Sequence, residues 1–481
     1  MTTRHQTTKM TNYRWVICTL LFFATTINYL DRQVLSLTFP SYIGPEFGWT
    51  NDHYGTITSW FSLLYAACML FAGRFVDWMD TKKGFLWAIG IWSFGACLHA
   101  FCGIATAGLT TGAWSTSFSE ANELIRTAGN AGKIINISVM LFIFCRFILA
   151  LGEAGNFPAA IKATAEYNPK RDRAFSTSIF NSGATIGAMI APACVLYIAA
   201  AFGWEASFIL IGLLGFIWMG FWVFLYKKPG AHPGVNKAEL AYINSDGEDA
   251  PARADGKKLT FLECLKFKQT WAFAFGKFMT DGVWWFYLFW MPKYLKSVFG
   301  IEGTAQVWPL TVLYTIVMLS LIGGWLPSYF IDKKQMNPYA GRMRSMLLFA
   351  FFPLLALFAQ PLGGYTYWLP VILIGIAGAA HQAWSANIFS TIGDMFPKTA
   401  IATITGIGGM AGGVGSFIIQ KGAGRLFDHA GTTNMHFLGF EGEPAGYFIL
   451  FIICAVAYLI GWGVMKALVP RYKPITARPP R

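Results

Sequence analysis

The stretch WVICTLLFFATTINYLDRQVLSLTFP, Trp15 to Pro40, is as long as a bilayer is thick, and it carries an acid beside a base, Asp31 and Arg32. Wound as a helix at about 1.5 Å per residue it reaches about 39 Å, more than the roughly 30 Å of a hydrocarbon core. A charge at the centre of such a helix costs roughly 2.5–3.5 kcal/mol on insertion, so one that persists faces a cavity or a partner and not lipid. Runs of similar length recur along all 481 residues, at 15–38, 54–76, 84–105, 135–158, 175–200, 206–226, 270–298, 306–331, 344–361, 367–394, 400–420 and 446–468. Residues are 55% hydrophobic and 13% charged, against about 25% charged in soluble domains, which excludes an ordinary soluble enzyme. Helices satisfy their own backbone groups in lipid. The expected fold is therefore an all-α membrane protein with twelve transmembrane helices.

The net charge of +13 invites a nucleic-acid reading, but its placement argues against one. With the N-terminus on the cytoplasmic side, 28 of the 37 Lys and Arg residues fall in cytoplasmic segments, the bias that orients membrane proteins. No nucleic-acid partner is expected; the lipid bilayer is. Both termini are expected in the cytoplasm, and the first run, too long for a signal peptide and followed by no small-residue cleavage site, is expected to be retained. Most of the eight cysteines sit inside apolar runs, and none has metal-ligand or disulfide spacing. No metal site, no cofactor and no Walker-type phosphate loop is expected. Nor is there a nucleophile–base constellation, so the chain does not read as an enzyme.

A polar segment rich in Gly, Pro and charge, beginning KKPGAHPGVNKAEL, separates six runs from six. It divides the chain into an N-terminal half, 1–226, a cytoplasmic linker, 227–269, with a short surface helix near 236–244, and a C-terminal half, 270–481. The halves echo each other as pseudo-repeats. GEAGNFP ends at Pro158 and TIGDMFP at Pro397, 239 residues apart, each followed by a basic loop and a helix rich in Gly and Ala. GRFVDWMDTKKG (73–84) likewise mirrors GGWLPSYFIDKKQ (323–335). Parallel six-helix repeats about a central pathway are the arrangement of the major facilitator superfamily, whose signature between helices two and three GRFVDWMDTKKG resembles.

The ionisable residues well inside the spans are Asp31, Arg32, Arg146, Glu153, Lys277 and Asp281. Arg146 and Glu153, seven apart, lie on one helical face about 10 Å apart along the axis. Arg holds a carboxylate with two parallel hydrogen bonds, and the acids can carry protons. Lys277 and Asp281, four apart, can pair with each other. On the other half, Trp284, Trp285, Tyr287 and Trp384 offer flat apolar faces, and Gln382, Ser385 and Asn387 offer hydrogen bonds, a lining that suits a sugar ring. His381 reads as a packing or hydrogen-bonding residue.

INYLDRQVLS, TDGVWWFYLFWMPKYL, AHQAWSANIFSTIGDMFPK and the stretch from GEAGNFP to IGAMIAP resemble the anion:cation symporters of the major facilitator superfamily, most of all bacterial hexuronate transporters. The resemblance implies import of a sugar acid with protons across the bacterial inner membrane by alternating access, by a chain expected to work as a monomer. It implies that Asp31 and Glu153 bind protons, that Arg146 tunes Asp31, and that Arg32, Tyr65, Trp384 and Asn387 contact substrate. Asn181 is a candidate contact because relatives carry a Gln on helix five where this chain has Ala184; Trp284 and Gln382 complete the expected substrate-binding set. Other organic anions (an aldonate, glucarate or an aromatic acid) remain open as substrates, as does a sensor that binds without transporting. The insertion 105–134, on the outer side in this topology, carries no functional reading.

Overall fold

The computed structural model describes residues 9–245 and 260–475. The main helices are α1 (Arg14–Thr38), α2 (Asn51–Met79), α3 (Thr81–Ala100), α4 (Cys102–Thr111), α5 (Phe118–Thr127), α6 (Ala131–Glu153), α7 (Asn156–Tyr167), α8 (Lys170–Phe202) and α9 (Trp204–Leu225). After the connection come α10 (Lys268–Phe299), α11 (Val307–Val317), α12 (Pro338–Phe351), α13 (Trp368–Met395), α14 (Lys398–Thr433) and α15 (Glu443–Leu468). Between α14 and α15, β1 (His436–Phe437) pairs antiparallel with β2 (Phe440–Glu441).

Among the described residues, eight helical stretches are long and apolar enough to cross a membrane, nine if α3 and α4, bent by 50° at Phe101, form one span. The other three expected spans are α1, α10 and α14, with 25, 32 and 36 residues. Length does not separate them from the rest; polarity does. α1 holds Asp31 and Arg32, α10 holds Lys277 and Asp281, and α14 is interrupted by glycine. These helices face protein more than lipid. α1 lies against α8, where Gly183 and Gly187 bring the backbones so close that a Cβ would stand 2.4 Å from the Phe22 carbonyl oxygen and 2.5 Å from that of Thr26. α14 lies against α2 and α10 in the same way: a Cβ at Gly415 would meet the Phe278 carbonyl at 2.0 Å. Small residues substitute for the hydrophobic drive that lipid does not supply.

Hydrogen bonds and ion pairs between helices before and after the connection gather at the end of the bundle where α1 turns into α2. Tyr54 donates to the Phe289 carbonyl at 2.8 Å, and Ser416 of α14 donates to the Ser62 hydroxyl of α2 at 3.0 Å. Lys421 pairs with Asp52 at 2.5 Å. Asp428 of α14 accepts from the backbone N–H groups of Asn51 (2.9 Å) and Asp52 (2.7 Å). A carboxylate of one helix thereby caps the N-terminus of another, where donors lack intrahelical partners.

The insertion folds back as α4 and α5 at this end. α5 buries Ala121 and Ile125, four apart, and Asn122 donates to Glu205 at 3.1 Å. Beside it Glu46 accepts from Trp204 Nε1 at 2.8 Å; burial pushes its carboxyl up to about 7. In the connection, the expected short helix is Lys237–Ile243, capped by Asn236. Glu239 from that helix accepts from the backbone N–H groups of Tyr13 and Arg14, both at 3.0 Å, tying the connection to the start of α1. The middle of the expected linker, 246–259, and the end of the basic tail, 476–481, lie outside the described residues.

Candidate functional site

Adjacent positions on a helix point about 100° apart, and α1 uses that angle to send its two charges to different neighbours. Arg32 reaches α6, where its Nε (3.0 Å) and Nη2 (2.6 Å) both donate to Oε2 of Glu153. Both side chains are buried, and Glu153 Oε1 has no hydrogen-bond partner among the described residues. Around the guanidinium stand four aromatic rings with centroids at 4.7 Å (Tyr65), 5.0 Å (Tyr29), 5.1 Å (Trp285) and 5.9 Å (Phe61). All are within cation–π range. Trp285 comes from α10, so this cage already joins helices from either side of the connection.

Asp31 turns the other way, towards Trp92 and Cys97 of α3. Among the described residues it has no ion-pair partner, and the donor its carboxylate faces is the Trp92 indole. Arg146 shares the buried face of α6 with Glu153, as the spacing of seven requires, with its guanidinium 5.2 Å from the Phe61 ring centroid. It forms no ion pair with Asp31 among the described residues. The ion pair at the centre is Arg32–Glu153, while Asp31 lies within the field of Arg146 without pairing to it.

Further along α10, Lys277 Nζ lies 2.8 Å from Asp281 Oδ2 and 4.3 Å from the Phe389 ring centroid. A pair four residues apart on one helix face is what the spacing predicts.

The remaining candidates are placed elsewhere. Trp284, beside Trp285, faces α13 and stacks on His381 with ring centroids 5.5 Å apart. His381 in turn shares a 2.7 Å hydrogen bond with Tyr458 of α15. Trp384 also packs on Tyr458, edge to face at 5.5 Å. Asn387 donates to the Gly323 carbonyl at 3.0 Å and to that of Ala383 at 2.8 Å, securing a close helix approach. Gln382 is half-buried, and Asn181 is exposed on α8, on a face other than the Gly183–Gly187 face that packs on α1. Among the described residues, no hydrogen bond or ring contact joins Asn181, Gln382, Trp384 or Asn387 to the Arg32 cage. Trp285, Tyr29 and Phe61 belong to it, although the expected set left them out. Two adjacent tryptophans cannot be told apart by residue type, while Tyr29 and Phe61 sit about one turn from Arg32 and Tyr65, a spacing that does point to them.

A bundle whose buried centre is a caged Arg–carboxylate pair, with a second ion pair beside it, matches one family along most of its length. The model of the Major Facilitator Superfamily fits residues 21–419. The chain belongs to the Major Facilitator Superfamily. Members similar to it include the hexuronate transporter of Escherichia coli strain K12, 26% identical over 88% of this chain and 90% of that protein. The galacturonate transporter of Dickeya chrysanthemi is 23% identical over 69% of this chain and 87% of its own length. Among solved structures, a bacterial homolog of the human lysosomal transporter Spinster superposes with a TM-score of 0.68 at 16% identity, covering 96% of this chain and 99% of that one. The D-xylose–proton symporter gives 0.65 at 14% identity, with 94% and 98% covered. These structures share the fold, and the superfamily and its similar members make the chain a membrane transporter of small organic solutes.

Proposed function

We propose that this transporter imports a hexuronate, galacturonate or glucuronate, by proton symport across the bacterial inner membrane. The observation that carries the reading is the Arg32–Glu153 pair inside its aromatic cage. A carboxylate of the protein occupies the fork of a buried arginine, in the position a substrate carboxylate would take. A proton on Glu153 cancels its charge and frees Arg32. The substrate carboxylate then replaces that of Glu153 between the same donors, with Tyr65 and Trp285 against the sugar ring.

Proton and anion are thus linked through one guanidinium. Without the proton, two carboxylates compete for it; with the proton, the loaded site carries no additional buried charge. Asp31, without an ion-pair partner among the described residues and near Arg146, is the second proton carrier in this scheme. The six helices before the connection and the six after it rock about this midplane site. With both termini cytoplasmic, the end latched by Asp52, Lys421 and Asp428 is the outer end, shut in this conformation. The identity to hexuronate and galacturonate transporters supports the substrate class.

The test is uptake of labelled galacturonate into proteoliposomes under an imposed proton gradient, with sugar acids, aldonates and aromatic acids as competitors. Galacturonate should accumulate above its external level, and Arg32→Lys should abolish this, since an ammonium replaces neither the fork nor its stacking. Uptake competed equally well by aromatic acids, or untouched by Arg32→Lys, would overturn the reading.

A further inference from the structure

The proposed scheme uses Arg32 and leaves a second buried cation idle. Lys277, Asp281 and Trp285 stand at successive turns of α10, four residues apart each time, so they form one stripe facing the same side. The top of that stripe is Trp285, whose ring lies 5.1 Å from the Arg32 guanidinium. One turn below, about 6 Å along the axis, Asp281 holds the Lys277 ammonium at 2.8 Å. Tyr29, its ring 5.0 Å from Arg32, lies within the fields of both Arg32 and Asp281. Tyr29 thus borders both Arg32 and the carboxylate that holds Lys277, so the two cations lie along one side of α10 about two helical turns apart.

Asp281 is kept at its post from behind. A Cβ on Gly412 of α14 would stand 2.2 Å from Asp281 Oδ2, so the glycine leaves room for this carboxylate and any larger residue would move it.

We propose that Lys277 is a latent second carboxylate subsite, masked by Asp281, and that the mask makes the carrier choose sugar acids with one carboxylate over six-carbon diacids. This rests on the reading of Arg32 as the primary carboxylate site. A diacid docked on Arg32 brings its far carboxylate to Lys277 and meets Asp281 there. Like charges in a desolvated site repel, and this repulsive element discriminates between ligands that satisfy Arg32 equally. A uronate presents a ring oxygen or hydroxyl at that end and meets no such charge.

The experiment compares galactarate with galacturonate as inhibitors of labelled galacturonate exchange in proteoliposomes, scored as the ratio of their half-inhibitory concentrations. Wild-type protein should favour the uronate. Asp281→Asn removes the masking charge and leaves Lys277 unpaired for a ligand, so the ratio should shift towards the diacid by about tenfold or more. Adding Lys277→Gln to that variant should cancel the shift, because the cation that receives the second carboxylate is gone. Should Asp281→Asn fail to fold, Gly412→Ala displaces the same carboxylate with the charge retained, and a smaller shift in the same direction is expected. An unchanged ratio in the folded variants, or a shift that survives Lys277→Gln, overturns the inference while the uronate reading stands. Wild-type exchange that responds to no sugar acid overturns the uronate reading, and the inference with it.

Discussion

Glu153→Gln removes the charge that holds Arg32 and keeps the side chain nearly the same size. In the resting protein one carboxylate oxygen accepts two donors of Arg32, at 3.0 and 2.6 Å. Hydrogen bonds to charged groups contribute about 1.5–3 kcal/mol each, so the pair withholds the guanidinium by about 3–6 kcal/mol, part of which the amide oxygen retains. A substrate carboxylate must displace a like charge in the native protein and only an amide in the variant. Recovering about 1.4–2.8 kcal/mol of that competition tightens substrate binding by about tenfold to a hundredfold. Empty, the variant buries a cation without its counter-charge, a loss of about 3–5 kcal/mol by comparison with other broken buried pairs, so it should melt early and regain stability when substrate binds. Calorimetric titration of galacturonate at acid and alkaline pH checks both halves of the argument. Native protein should bind more weakly as pH rises and Glu153 regains its charge; the variant should bind tightly and without that dependence. Accumulation against a gradient should fail while exchange continues. A variant that binds no better than native protein at alkaline pH would refute the competition between Glu153 and substrate.

Trp285→Ala should weaken galacturonate binding by about twofold to thirtyfold, the equivalent of one cation–π wall of about 0.5–2 kcal/mol, whereas Trp284→Ala, behind it on His381, should change affinity less; equal effects in a binding titration would contradict the cage. Asp428→Asn weakens the cap on α2 and should raise labelling of cysteines introduced along the Asn51 half of α2; unchanged labelling would show that this contact does not hold the end shut. Glu46 has an ordinary carboxyl value of 4.5 in the unfolded chain and about 7 in the folded protein. The unfolded state therefore binds fewer protons between those limits, and the stability this group contributes, about 3 kcal/mol in all, is complete below 4.5 and declines as pH rises through 7. Glu46→Gln should flatten that part of the melting-temperature profile, and a profile of unchanged slope would count against the buried acid.

The helices were legible because a bilayer dictates their length. α1, α10 and α14 are less apolar than the others, yet each still reads as a long run, and the polarity that lowers their hydropathy is itself the sign that they face the interior. Positions within one helix were legible as well: the spacing of Arg146 and Glu153 does place them on one face, and Lys277 does meet Asp281. Pairing between helices was not. Nothing in the sequence says that Arg32 reaches Glu153, since that depends on how far α1 and α6 are displaced along their axes. The same limit separates Trp285 from Trp284, whose neighbours differ by one rotation of about 100°. Trp384 and Asn387 have the chemistry of substrate contacts, and the same chemistry joins α13 to its neighbours here, a use that residue type does not distinguish.

The central claim is that a proton on Glu153 and an anion on Arg32 are bound together. Its most direct test is the proton count on adding galacturonate to purified protein in weak buffer with a pH indicator, at a pH where Glu153 is charged. The account predicts that native protein takes up a proton as each substrate binds and that Glu153→Gln binds substrate without taking one up from that position. Binding by the native protein with no proton uptake, or equal uptake by the Glu153→Gln variant, would contradict it.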